Sequence, residues 1–100
     1  MVANMKPEPP SHTEEAEVIA LKALGFLAGE PERLERFMSL SGLTLAAIRK
    51  SAADPAFLAG VLDHVLSDQT LLLTFAENCG LAPSDVQRTR RKLPGASLDF

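Results

Sequence analysis

Tryptophan and tyrosine are absent from this sequence, cysteine occurs once, and there are only two histidines. A lone cysteine, Cys79, excludes an internal disulfide framework and a cysteine-built zinc site, and it fits a reducing compartment. No apolar run approaches the roughly 20 residues that a membrane-spanning helix needs. The longest, Val18 to Ala28, is interrupted by Lys22. No segment alternates with period two, so strands are not expected. Charge of one sign does not dominate either: ten basic against thirteen acidic residues leave a net −3, which argues against wholesale polyanion binding. Met1 to His12 lacks the apolar stretch of a secretory signal. The expected location is therefore cytoplasmic, with no membrane as partner. No glycine loop of the phosphate-cradling type is present.

What remains is a chain of 100 residues, 46% hydrophobic and 23% charged. Such a length supports one small domain, burying roughly 65% of its unfolded surface, and excludes a two-domain enzyme built around a cofactor fold. Pro7, Pro9 and Pro10 fall in residues 1–12, which read as a disordered proline-rich tail; the helical domain is expected over 13–94, with a short tail at 95–100. The other prolines act as punctuation, because proline suits a first helical turn and breaks an interior. Glu30-Pro31, Asp54-Pro55 and Ala82-Pro83 each open an apolar periodic segment, and Leu93-Pro94-Gly95 closes the last. Gly29, Gly42 and Gly80 sit where helices should stop in left-handed caps. Ser11 with Glu14 has capping-box spacing, and Asp54, Ser67 or Asp68, and Ser84 are candidate N-caps. These signals predict six helices, at about 13–28, 31–41, 44–53, 55–67, 68–79 and 84–93. The fold class is all-α, a single small orthogonal bundle of about six short helices.

The core follows from helical spacing. Phe57, Leu58, Val61, Leu62, Val65 and Leu66 form one stripe of the fourth helix. Leu34, Phe37 and Met38 supply the face of the second, and Leu72, Phe75, Ala76 and Cys79 that of the fifth. The first helix, apolar almost all round from Val18 to Ala28, is expected to lie centrally. A weak internal repeat appears at an offset of 38 residues, pairing Leu24 with Leu62, Leu34 with Leu72, Phe37 with Phe75, and Gly42-Leu43 with Gly80-Leu81. It suggests two pseudo-repeated three-helix units, roughly 13–53 and 54–94.

Candidate chemistry concentrates near the carboxyl end. Ala76, Gly80, Leu81 and Val86 have the spacing of a helix-turn-helix junction: a small residue, a turn glycine, the apolar residue after it, and an anchor inside the second helix. With Val86 and Leu93 facing inward, Ser84, Gln87, Arg88 and Arg91 share the outer face of helix 84–93. Arginine reads guanine and glutamine adenine in a major groove, so that face suits DNA; Arg49-Lys50 is a modest second basic site. A glycine-capped helical hairpin with cations near its C-terminus fits the same pattern without any ligand. Elsewhere, His64 lies between Asp63 and Asp68 and is expected in a surface ion pair or capping contact, since a metal site wants a third ligand. Cys79 reads as a small buried hydrophobe, and Glu14, Glu15 and Glu17 as carboxylates offsetting first-turn amides. No catalytic or metal site and no cofactor is expected, and the chain reads as a non-enzyme.

The runs Arg36-Phe37 to Ser41-Gly42-Leu43, Ala53-Asp54-Pro55-Ala56-Phe57-Leu58, Val61-Leu62-Asp63 and Phe75-Ala76 together resemble a small alphaproteobacterial family, domain of unknown function 3572, over about residues 14–95. That resemblance implies a bacterial cytoplasmic protein and carries no catalytic residues with it. The function expected from the residues is a small protein-interaction or regulatory helical module, monomeric or weakly dimeric. The alternative is a DNA-binding module that uses Ser84, Gln87, Arg88 and Arg91.

Overall fold

The computed structural model describes residues 12–94. The tails expected at 1–12 and 95–100 lie outside these residues, apart from His12 at the start of the first helix, and so does the Ser11 cap. Six α-helices occupy about four-fifths of the described residues: α1 His12–Ala28, α2 Pro31–Ser41, α3 Leu45–Ser51, α4 Pro55–Leu66, α5 Gln69–Cys79 and α6 Pro83–Arg91. No strand occurs among the described residues. The chain turns sharply between elements, with α4 and α5 bent by 112°. No single helix among the described residues is long and apolar enough to cross a membrane; that bent pair passes on length and composition together.

Local chemistry sets most boundaries. The Asp54 carboxylate accepts from the Ala56 amide at 3.0 Å, and Pro55 takes the first helical position of α4. Asp68, rather than Ser67, caps α5 by accepting from the Leu71 amide. Thr44 caps α3 from outside, which starts that helix one residue later than the spacing suggested. α3 also ends early: Asp54 donates to the Ser51 carbonyl and turns the chain before Pro55, whose ring disfavours helical backbone at the preceding residue. Ser84 is not a cap. With Pro83 in the first turn the N-cap is Ala82, and the Asp85 carboxylate reaches back to accept from its amide at 3.0 Å. Gly42 and Gly80 end α2 and α5 at φ 76° and 69°. Gly29 does not adopt this geometry; its amide donates to the Gly25 carbonyl, continuing the α1 pattern for one more residue.

The core is built on α1 and α4 together: α1 lies centrally, as expected, packing on α4, α2 and α6. Leu58, Ala59, Val61, Leu62 and Val65 of α4 are all buried, and α4 packs on α1, α5 and α6. α1 turns only one stripe inward, Ala16, Ala20, Ala23 and Leu27, while Val18 and Leu21 stay about half exposed. Ile19, Leu24 and Phe26 are partly buried against the same core, and small alanines on the buried stripe favour close approach of the two helices. Phe37, Ile48, Leu72, Phe75, Ala76, Val86 and Leu93 complete the core.

The 38-residue offset reappears in the structure. It superimposes the bounds of α2 on those of α5, the last residue of α1 on that of α4, the first of α3 on that of α6, and Gly42 on Gly80. Side-chain contacts obey it as well. Phe26 packs on Phe75 at 5.5 Å between ring centroids, and the shifted and exchanged pair, His64 on Phe37, packs at 5.1 Å. A two-fold relation between the halves produces contacts of this kind. The third helices break it: α6 packs on α1, α4 and α5, whereas α3 touches its neighbours only slightly and buries Ile48 alone.

A Cβ added at Gly42 or Gly80 would meet nothing within 4 Å, so the cost of a side chain there is conformational. Gly42→Val and Gly80→Val should each lower stability by about 1–3 kcal/mol. Gly60→Ala, inside exposed α4 backbone with equally open space, should be neutral or stabilising by up to about 1 kcal/mol. Chemical denaturation of the three variants checks both halves of the statement.

Candidate functional site

Two places gather side chains that the core does not use: the outer face of α6, and a cleft between α2 and α5.

α6 is mounted from behind. Val86 is fully buried, and the buried Thr89 hydroxyl donates to the Asp85 carbonyl at 2.8 Å. Arg90 makes the strongest polar contact between helices, with its Nε 2.6 Å from one oxygen of Asp63 and Nη2 3.0 Å from the other. Nη1 donates to the Pro94 carbonyl at 3.0 Å, and the Arg90 side chain is only 12% exposed. This paired-oxygen geometry ties α6 to α4 more firmly than a single-point ion pair would. Sequence reasoning did not single out Arg90, and it read Asp63 only as a neighbour of His64. Arg90 and Asp63 are 27 residues apart, and no local spacing announces such a pair; the available signal was the alternation of outward Arg88 and Arg91 with an inward-turned Arg90.

Ser84, Gln87, Arg88 and Arg91 are all exposed on one side of α6. Arg88 pairs with Asp85 on the same helix. The amide of Ala82 and the Arg88 guanidinium hold the Asp85 carboxyl below its usual range. Arg91 and Lys92 make no ion pair among the described residues. The local surplus of four basic residues over one acid is thus reduced in space, because Asp63 neutralises Arg90 and Asp85 neutralises Arg88. Gln87 also borders a notch with Leu66, Ser67, Gln69, Leu72, Leu73 and Pro83. Leu73 is 47% exposed there.

The cleft, about 330 Å³, is lined by Glu32, Arg33 and Arg36 of α2, His64 and Asp68, and Thr70, Leu71 and Thr74 of α5. Under the 38-residue shift, Glu32, Arg33 and Arg36 coincide with Thr70, Leu71 and Thr74, so the two walls are equivalent positions of the two halves. The Arg33 guanidinium lies over the Phe26 ring, 4.1 Å from its centroid, an attraction between a cation and the negative ring face. Thr74 donates its hydroxyl to the Thr70 carbonyl. His64 forms no ion pair with Asp63 or Asp68, contrary to the expectation from their proximity. Asp63 is engaged by Arg90 and Asp68 by the α5 amide, and the imidazole instead packs edge-on against Phe37. Its Nε2 is shut off from water without a hydrogen-bond partner. Burial, followed by the nearby Arg36 charge, pushes the His64 pKa below 6.5, with Asp68 opposing. Cys79 is a free thiol packed against the core. Among the described residues no three metal-ligating side chains converge.

The fold is that of a small all-α domain organised as two helical halves around α1 and α4. The chain belongs to the family described as Protein of unknown function (DUF3572), whose model matches residues 13–96. No curated protein and no solved structure matches the chain.

Two measurements test the polar architecture. Asp63→Ala leaves the Arg90 guanidinium without its acid in a largely buried position, so it should destabilise by about 1–3 kcal/mol. Arg88→Ala, at an exposed i,i+3 pair, should change stability by less than about 0.5 kcal/mol. For His64, the unfolded chain binds the proton more readily than the folded one. Stability is therefore complete above the ordinary histidine pKa and falls as pH drops through the lowered folded value. Denaturation midpoints between pH 7 and 5 should fall more steeply for the wild type than for His64→Gln.

Proposed function

We propose that this protein is a small non-catalytic helical module that binds a protein partner through the outer face of α6. The observation that carries the reading is the mounting of that face. Val86, Thr89 and the Arg90–Asp63 pair fix the helix from behind, leaving Ser84, Gln87 and Arg91 in solvent without a fold contact and Arg88 in an exposed pair with Asp85. A preformed surface loses little conformational entropy on binding. Beside it, half-exposed Leu73 in the Gln87 notch supplies the apolar element that interface centres use. The fitting partner presents an acidic group to Arg91 and Arg88 and an apolar side chain to the notch. Packing supports the non-catalytic part of the reading: Cys79 lies against the core, and the Nε2 of His64 is closed to solvent.

A second reading, DNA binding by α6, draws on the exposed row of Gln87, Arg88 and Arg91. The pairing of Arg88 with Asp85 and of Arg90 with Asp63 leaves Arg91 and Lys92 as its unpaired cations. That is few for phosphate-driven affinity. The turn glycine, following apolar residue and anchor recur between α2 and α3 as Gly42, Leu43 and Ile48, although Met38 stands where the small Ala76 does.

One variant separates the readings. Arg88→Glu/Arg91→Glu should melt like the wild type and lose a protein that the wild type captures from native lysate. Neither form should bind mixed DNA duplexes at about 100 mM salt by fluorescence anisotropy. Dissociation constants of roughly 1–100 µM for the wild type, abolished in the variant, would favour DNA. Capture indifferent to the double change would remove α6 as the contact face.

A further inference from the structure

The cleft between α2 and α5 lies on the opposite walls of the two halves, and its two walls differ in chemistry although the fold places them equivalently. α2 contributes Glu32, Arg33 and Arg36; α5 contributes Thr70, Leu71 and Thr74. The lining carries two guanidiniums and two carboxylates, yet neither Arg33 nor Arg36 is in contact with an acid among the described residues. Arg33 is held in place by the Phe26 ring. Of the two acids, Asp68 already accepts the Leu71 amide at the start of α5, and Glu32 stands in the first turn of α2, where a carboxylate offsets that helix's unpaired amides. The imidazole of His64 forms part of the same lining, with its Nε2 turned away from solvent.

We propose that this cleft is a binding site for a small anion bearing carboxylate or phosphate oxygens, gripped by Arg36 and Arg33 with the Thr70 hydroxyl on the facing side and the His64 ring beside it. The site is independent of the α6 reading and stands or falls without it. Guanidinium groups suit such anions because their planar donors match paired oxygens. The Arg33 ring contact prepays part of the ordering that a free arginine would lose on binding. An anion seated beside His64 stabilises the imidazolium, so occupancy and protonation of that ring are coupled in both directions.

The test follows the ring and amide resonances of the full chain by nuclear magnetic resonance during titration with sodium phosphate, sodium succinate, or sodium chloride at matched ionic strength. Phosphate or succinate should produce saturable shifts at His64, Thr70, Leu71 and Thr74, and raise the midpoint of the His64 titration by several tenths of a pH unit. Saturation by phosphate alone assigns a phosphoryl ligand, and saturation by succinate alone a carboxylate. Arg36→Gln, at an exposed position, should weaken binding at least about threefold with an unchanged melting temperature; Thr70→Val, on the other wall, should weaken it as well. Absence of saturation by both anions overturns the proposal. So do equal shifts with chloride, or equal affinity in Arg36→Gln and Thr70→Val.

Discussion

The packing of α1 against α4 is the constraint on which the remaining elements depend. Alanines 16, 20 and 23 give α1 a low-relief stripe, and Leu58, Val61, Leu62 and Val65 give α4 a bulky one. A small surface against a large one permits close approach while filling the space between the helices. Each of these two helices then carries the next one of its own half, α2 on α1 and α5 on α4. The aromatic pairs Phe26–Phe75 and His64–Phe37 cross from one half to the other and fix how the halves face each other. The cleft and the α6 face are both consequences: one lies where α2 and α5 meet, the other on the helix that closes over α1 and α4.

The asymmetry between the third helices has an identifiable cause. The positions equivalent to Asp63 and Arg90 in the first half are Gly25 and Ala52, so α3 lacks the paired-oxygen contact that holds α6. α3 is also shorter and rests on one buried side chain, Ile48. The same register thus yields a clamped helix in one half and a lightly held one in the other. The functional reading follows from the clamped one, since a row of exposed side chains gains value as a binding face when the backbone beneath it does not move.

Helix order and most boundaries were legible in the sequence because proline and glycine act locally: Pro31, Pro55 and Pro83 open helices, and Gly42 and Gly80 close them. The internal offset was legible for the same reason, and it recurs in several helix ends and in the Phe26–Phe75 and His64–Phe37 contacts. What the sequence did not convey was three-dimensional partnership. Hydropathy placed α1 centrally but did not show that Val18 and Leu21 would stay exposed, because composition does not report which face meets a neighbour. The Arg90–Asp63 pair joins residues 27 apart, and nothing in local spacing predicts it. His64 was read as an ion-pairing or capping side chain beside its sequence neighbours, yet Arg90 and the α5 amide engage those carboxylates and leave the ring to Phe37. Ser84, Gln87, Arg88 and Arg91 were placed on one exposed face by helical spacing alone. The cleft was not foreseen, because its walls come from separate halves.

Native-state hydrogen exchange measured amide by amide tests the central place of the α1–α4 interface most directly. Opening free energies track how many buried contacts hold each element. The account predicts that the slowest amides lie in the stretches Ala20–Leu27 of α1 and Leu58–Val65 of α4 and exchange together, that α6 is nearly as protected, and that α3 exchanges fastest among the six helices. Protection of α3 equal to that of α4, or exchange of α4 ahead of α2 and α5, would contradict it.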